Sequence, residues 1–204
     1  TDADFDFDRN STGTRVNEDY LIEDVPYNLL RESEDATTTW GKTRSSITAN
    51  SILAPNGTLT GDKFIGATTS GDKKLSQSIT VNSGEQYTLS VFAKKGEFNG
   101  ILLRHNTSKF PSGHVIFNLD TGVGVQTNTV DSFSSENVGN GWYRLSVTST
   151  ADSTGSNLEE LIIANNGDTA ITGNDSDGIY IWGMQSVKGD QPKDYLKTTD
   201  RLDI

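Results

Sequence analysis

Residues 141–150, GWYRLSVTST, alternate without a break. Tyr143, Leu145 and Val147 fall on one face of an extended strand, and Trp142, Arg144, Ser146 and Thr148 on the other. A period of two sends successive side chains to opposite faces of a sheet, so one set belongs to a core and the other to the solvent side. The pattern recurs. Leu75, Gln77, Ile79 and Val81 share a face, and so do Tyr87, Leu89, Val91 and Ala93. Further extended segments are read at 47–53, 61–65, 100–106, 114–119, 123–127, 133–138, 158–164 and 178–187, with an irregular stretch at 32–42. Turn signals separate them: Pro55-Asn56-Gly57, Asn82-Ser83-Gly84, Asp120-Thr121-Gly122 and Gly139-Asn140-Gly141. About ten short strands at this spacing, with no helical period, predict an all-β sandwich.

Composition narrows the function classes. The 204 residues suffice for one large β domain, and a chain of this size buries roughly 70% of its unfolded surface. There is no cysteine, which excludes disulfides and thiolate metal sites. A net charge of −11 with no basic cluster beyond Lys73-Lys74 or Lys94-Lys95 argues against nucleic acid. No run approaches the apolar length that spans a bilayer, and the opening TDADFDFD does not read as a signal peptide. Catalysis has little to work with. The two histidines are His105 and His114, there is no Gly-x-Ser-x-Gly elbow, and Glu159 and Glu160 point to opposite faces of one strand. The expectation is a protein that is not an enzyme.

Three separated pieces carry a resemblance. The first is Gln77-Ser-Ile-Thr-Val81, then Gly84, Tyr87-Thr-Leu-Ser-Val91 and Ala93-Lys94. The second is Gly139-Asn-Gly-Trp-Tyr-Arg144, and the third is Gly178-Ile-Tyr-Ile-Trp-Gly183 with Gln185. With Asn28-Leu29-Leu30, Trp40 and Asp62-Lys63, their order resembles the jelly-roll, carbohydrate-binding-module-like (concanavalin-like) domain of bacteriophage tail and fibre proteins. Before it, Phe7, Arg9, Ser11, Thr12, Thr14-Arg15-Val16 and Leu21-Ile22-Glu23 resemble a shortened form of the arm that precedes this module in phage tail proteins. The division is then an extended N-terminal arm at 1–27, a β-sandwich module at 28–199 and a tail at 200–204. The resemblance implies a non-catalytic virion domain, in an extracellular setting, that binds host-surface polysaccharide and contacts other virion proteins. It also implies a homo-oligomer, with a trimer favoured. The alternatives are a purely structural or decoration protein, and an accessory module of a polysaccharide-degrading enzyme.

Sugar binding needs flat apolar faces beside planar donors. The candidates are Trp142 and Arg144, Phe92 on the neighbouring strand, Arg104, His114, and Trp40 in its loop. Trp182 shares a face with Tyr180 and Met184 and reads as a core residue. No cofactor is expected, although structural calcium could sit in the oxygen-rich turn with Asp175 and Asp177, or at Glu34 and Asp35. The plainer reading of residues 174–178 is a turn whose Asx side chains bond their own backbone.

Overall fold

The computed structural model describes residues 14–16, 22–24, 27–106 and 108–199. Strands β1 (Thr14–Val16) and β2 (Ile22–Asp24) pair antiparallel. The rest of the expected arm, and the tail at 200–204, lie outside the described residues. The sandwich comprises β3 (Gly41–Thr43), β4 (Ser45–Ile52), β5 (Gly61–Gly66), β6 (Lys74–Val81), β7 (Gln86–Lys94) and β8 (Gly100–His105), followed by β9 (His114–Asn118), β10 (Gly124–Thr127), β11 (Ser132–Gly139), β12 (Trp142–Thr150), β13 (Gly155–Ala164) and β14 (Gly178–Lys188). No helix occurs among the described residues.

Two six-stranded antiparallel sheets result. The front sheet runs β10-β9-β8-β13-β6-β3, and the back sheet runs β11-β12-β7-β14-β5-β4. Without the outermost β10, β3, β11 and β4, the chain passes β5, β6, β7, β8 from one sheet to the other, then β9, β12, β13, β14. The back sheet then reads 12-7-14-5 and the front sheet 9-8-13-6, which is the strand order of a jelly roll. The all-β sandwich expected from the sequence is the architecture observed.

Alternation explains the core. The inward residues of the front sheet include Leu75, Ile79, Val81, Ile101, Leu103, Val115, Phe117, Leu161 and Ile163. They meet Tyr87, Leu89, Val91, Leu145, Val147, Ile179 and Ile181 from the back sheet. Tyr143 differs from the expectation of full burial. It is half-buried, and its ring lies against Gly122, where an added Cβ would come within 2.5 Å of it. Asn140 (φ 52°) and Gly141 (φ 78°) take the left-handed conformations that a two-residue hairpin turn between β11 and β12 requires.

Two buried charges hold loops to this frame. Asp62 accepts the amides of Ala36 (2.9 Å) and Asn50 (3.0 Å), fixing the 32–40 loop and the irregularity in β4. Burial pushes the Asp62 carboxyl up despite those two bonds. The fully buried Lys73 ammonium donates to the carbonyls of Thr69, Gly71 (2.8 Å) and Ile171 (2.8 Å). Burial, with Arg44 nearby, draws its pKa down.

Leu145 is fully buried at the centre of this core. Leu145→Ala is expected to lower the unfolding free energy by about 2–5 kcal/mol, the range for a leucine cavity, read from urea denaturation. An unchanged midpoint would contradict the packing described.

Candidate functional site

The outer face of the back sheet gathers three of the expected residues. Cross-strand pairing sets Lys94 between Trp142 and Tyr180, and Phe92 between Arg144 and Trp182. Trp182 therefore lies outward with Tyr180, in a second apolar cluster with Phe92, Trp142 and Ala54. Met184 turns into the main core instead of sharing their face. The cause is a bulge: β14 spends an extra residue between Trp182 and Gln185, at Gly183 with φ 61°.

This face is not a groove open to a ligand. Residues 189–199 cross it as a strap. Thr88 and Thr148 donate their hydroxyls to the carbonyls of Gly189 (2.9 Å) and Asp190 (3.3 Å). Gln185 donates to the carbonyls of Lys193 and Asp194 and accepts the Leu196 amide at 2.8 Å. The Tyr195 ring packs against Trp182 (4.6 Å between centroids) and edge-on to Phe92 (6.1 Å), and its hydroxyl meets Ser33 Oγ at 2.8 Å. Arg144 stacks over Phe92 at 5.4 Å and donates to the Lys193 carbonyl, while its buried Nε has no partner. Trp142 is 1% exposed and donates its indole N–H to the Leu53 carbonyl at 3.2 Å. The expectation of a solvent-facing Trp142, Arg144 and Phe92 is thus corrected. Alternation places these side chains outside the main core, but the β4–β5 connection covers Trp142 and the strap covers Arg144 and Phe92.

Arg104 and His114 lie on the opposite side of the molecule, on the outer face of the front sheet. Their odd-numbered neighbours Leu103, His105 and Val115 point inward. Across the strands, Glu160 sits opposite both Arg104 and Ser76. The Glu160 carboxylate is fully buried. One oxygen meets Lys74 Nζ at 2.7 Å and the other meets Arg104 Nε at 2.5 Å. Burial pushes its carboxyl up, but these two bonds outweigh that and hold it below its ordinary value. The adjacent row is apolar, with Ile116 opposite Leu102 and Leu102 opposite Ile162. His114 is half-buried, and burial together with the Arg104 charge lowers its pKa. Lys74 and Arg104 bond Glu160, and Ser78 bonds Ser156, each across neighbouring strands of this one sheet.

Trp40 belongs to neither face. It is 2% exposed within the main core and donates to the Glu32 carbonyl at 3.3 Å, so it plugs an end of the sandwich and does not rim a groove. Each of the four metal candidates is placed in local contacts. Asn174 Oδ1 accepts the amides of Ser176 (3.0 Å) and Asp177 (2.7 Å), the Asx turn of the plainer reading, with Asp175 at φ 62°. Glu34 accepts from Tyr195 (3.2 Å) and Lys197 (2.8 Å), and Asp35 accepts from the Thr37 amide (2.7 Å). Among the described residues no three His, Cys, Asp or Glu side chains converge as a metal-binding group.

One polar cluster escaped the sequence reading. His105 and Glu159 are buried between the sheets, with Nδ1 of the histidine 3.0 and 2.8 Å from the two carboxylate oxygens. Ser186 Oγ lies 3.3 Å from Glu159 Oε1, and His105 Nε2 lies 3.4 Å from the Val147 carbonyl. These are the residue types of a hydrolytic triad, yet the serine bonds the carboxylate and the imidazole's second nitrogen faces backbone, so no base addresses the hydroxyl. The cluster pins β8 and β13 to β14 and β12. The inward phase of 105 and 159 was its only signal in the sequence.

No protein family matches the chain by sequence, and no curated protein does. Among solved structures, the enzymatically active domain of tailspike protein 4 from bacteriophage CBA120 is similar, with a TM-score of 0.46 and 14% identity. The match covers 79% of this chain and 21% of that one, so this chain spans a minor part of that protein's length.

Two outcomes follow from the geometry. Trp142→Ala should cost about 3–5 kcal/mol, the range for a buried aromatic, and depress the melting temperature. A neutral effect in a thermal melt would mean the indole is not packed as described. The second concerns acid. Because the folded Glu160 pKa lies below the ordinary 4.5, the unfolded chain takes up its proton first as pH falls. The stability this group contributes is therefore whole above that ordinary value and is lost as pH drops through the depressed folded one. Glu160→Gln should flatten that part of the pH dependence in urea midpoints measured from pH 6 to pH 2, an order-of-magnitude window about the carboxylate range.

Proposed function

We propose that this chain is a non-catalytic carbohydrate-binding domain of a bacteriophage virion appendage, and that it meets host-surface polysaccharide on the outer face of its front sheet. The observation that carries the reading is the Arg104–Glu160–Lys74 ion triplet, its two cations about a quarter exposed, with half-buried Ile116 and exposed Leu158 on the same sheet face. A sugar ring has the same two-sided chemistry, hydroxyls at its rim and C–H groups on its faces. A guanidinium already held by Glu160 loses little side-chain freedom when a ligand arrives. The virion setting rests on the ordered motifs at Gln77–Val81, Gly139–Arg144 and Gly178–Gly183, and on the segment before the sandwich. That segment is read as an assembly arm that docks on a neighbouring copy or another virion protein, in a trimer.

A second reading, a purely structural virion domain, draws on a different observation. Val123, Val125 and Phe133 are 59%, 63% and 39% exposed where β10 and β11 bring the edges of the two sheets together. An apolar sheet edge of this kind suits a subunit contact.

Titration of the chain with host envelope polysaccharide separates the two. Measurable binding that weakens in Ile116→Glu, with the melting temperature retained, is the expected result. No binding to any envelope fraction, together with loss of assembly mass in light scattering for Val125→Glu, would leave the structural reading standing alone.

A further inference from the structure

We infer that the front-sheet face selects acidic saccharides, carrying uronic-acid-type carboxylates, over neutral ones. The inference rests on the carbohydrate-binding reading above and names the ligand class of that face.

The chain carries a net charge of −11, so its surface as a whole repels polyanions. This face does not follow the average. Its outward side chains include Glu160 and, partly exposed around it, Lys74, Arg104, His114, Ile116 and Leu158, while Leu102 and Ile162 are buried. The one acid among them is Glu160, whose carboxylate is fully buried and has both oxygens engaged, one by Lys74 and one by Arg104. A ligand arriving at this face therefore meets donors, not the carboxylate. Arg104 gives Glu160 its Nε, and its guanidinium side chain stays partly exposed. The Lys74 ammonium gives one bond to Glu160, and both side chains remain about a quarter exposed, at 23% and 26%. His114 stands beside Arg104 on the next strand, close enough that the Arg104 charge bears on its titration. Two cations this near would repel one another. The buried carboxylate between them removes that cost and fixes their positions, so the donors are arranged before the ligand arrives.

What such a constellation lacks is acceptors. Neutral sugar hydroxyls both donate and accept, and a site for them usually supplies amides and carboxylates as well as cations. A carboxylate only accepts, and a planar guanidinium matches its two oxygens. Half-buried Ile116 and exposed Leu158, on the same face as the cations, then serve the C–H face of the same ring. A free inorganic anion would have no use for those two side chains.

The test is a binding titration of the full chain against polygalacturonate, alginate and hyaluronate, their carboxyl-reduced counterparts, neutral dextran and dextran sulfate. The acidic polymers are expected to bind, and their reduced forms to lose at least tenfold in affinity, about the loss of one charge-assisted bond. Arg104→Lys keeps a cation beside Glu160 and should fold, yet it removes the fork and should weaken carboxylate binding by about tenfold. His114→Gln provides a second variant that leaves the Glu160 bonds intact and should weaken binding in the same direction. Equal binding of acidic and reduced polymers would overturn the acidic preference while leaving carbohydrate binding in place. Dextran sulfate bound as tightly as the uronates, with Arg104→Lys unchanged, would overturn it in favour of unspecific charge attraction. Binding to no polymer in the panel would count against both readings.

Discussion

Burial of both faces of three adjacent strands is the constraint on which the rest of this structure depends. β7, β12 and β14 form the middle of the back sheet and are covered almost end to end. Their inward residues enter the main core, as in any sandwich. Their outward residues include Phe92, Trp142 and Trp182, too much apolar surface to leave in water. The chain covers this surface with its own residues 189–199 and with the β4–β5 connection, whose Leu53 carbonyl and Thr60 hydroxyl accept the two indole N–H groups. Asn28 completes the closure from the other end of the chain. Its side chain donates to the carbonyls of Met184 and Leu196 and accepts the amide of Ser186, joining the first and last parts of the sandwich through one residue.

This asymmetry assigns the two faces different work. The back face is a second small core in which Tyr195, Trp182 and Phe92 pack ring to ring and the strap is fixed by hydrogen bonds to its backbone. Contacts of that kind hold a chain segment whatever its side chains are, and Tyr195 is the anchor that sets its register. The front face is organised by charge instead. Its Arg104 and Lys74 pair with the buried Glu160 within the sheet, and both cations remain about a quarter exposed, at 26% and 23%.

Much of this was legible in the sequence, and the misses have physical causes. Strict alternation located β12 within one residue, the shared face of β7, and the inward set Leu145, Val147, Leu89 and Val91. Asn140-Gly141 announced its hairpin, because few residues other than asparagine and glycine tolerate two successive left-handed conformations. β3 went unseen: three exposed residues at a sheet edge carry no periodic signal. Gly183 hid a bulge, so Met184 was put on the face of Tyr180 and Trp182 when it belongs to the other. The larger error concerned the binding face. Alternation separates inward from outward within a strand, but it is blind to distant segments, here the β4–β5 connection and residues 189–199, that return to cover the outward set. Residues 189–199, polar and without regular structure, gave no sign of that contact.

The two buried glutamates show how much the partner matters. Glu159 and Glu160 are neighbours on β13, fully buried on opposite faces, and each is held by a cation or a potential one. A carboxylate removed from water costs several kcal/mol unless it is bonded and paired, so neither position could persist alone. Glu159 meets His105 and Ser186 in a closed space between the sheets, where all three are sequestered and the gain is registry between β13 and β14. Glu160 meets Lys74 and Arg104, long side chains whose outer ends still reach solvent. The same acid on consecutive residues thus locks the sandwich on one side and, on the other, sets two cations at the surface in fixed positions. Partly exposed cations fixed by a buried acid are a feature that packing alone does not require, since a hydrophobic residue at 160 would fill the space without the desolvation cost. That excess over structural need is the physical reason to look for the ligand on the front sheet.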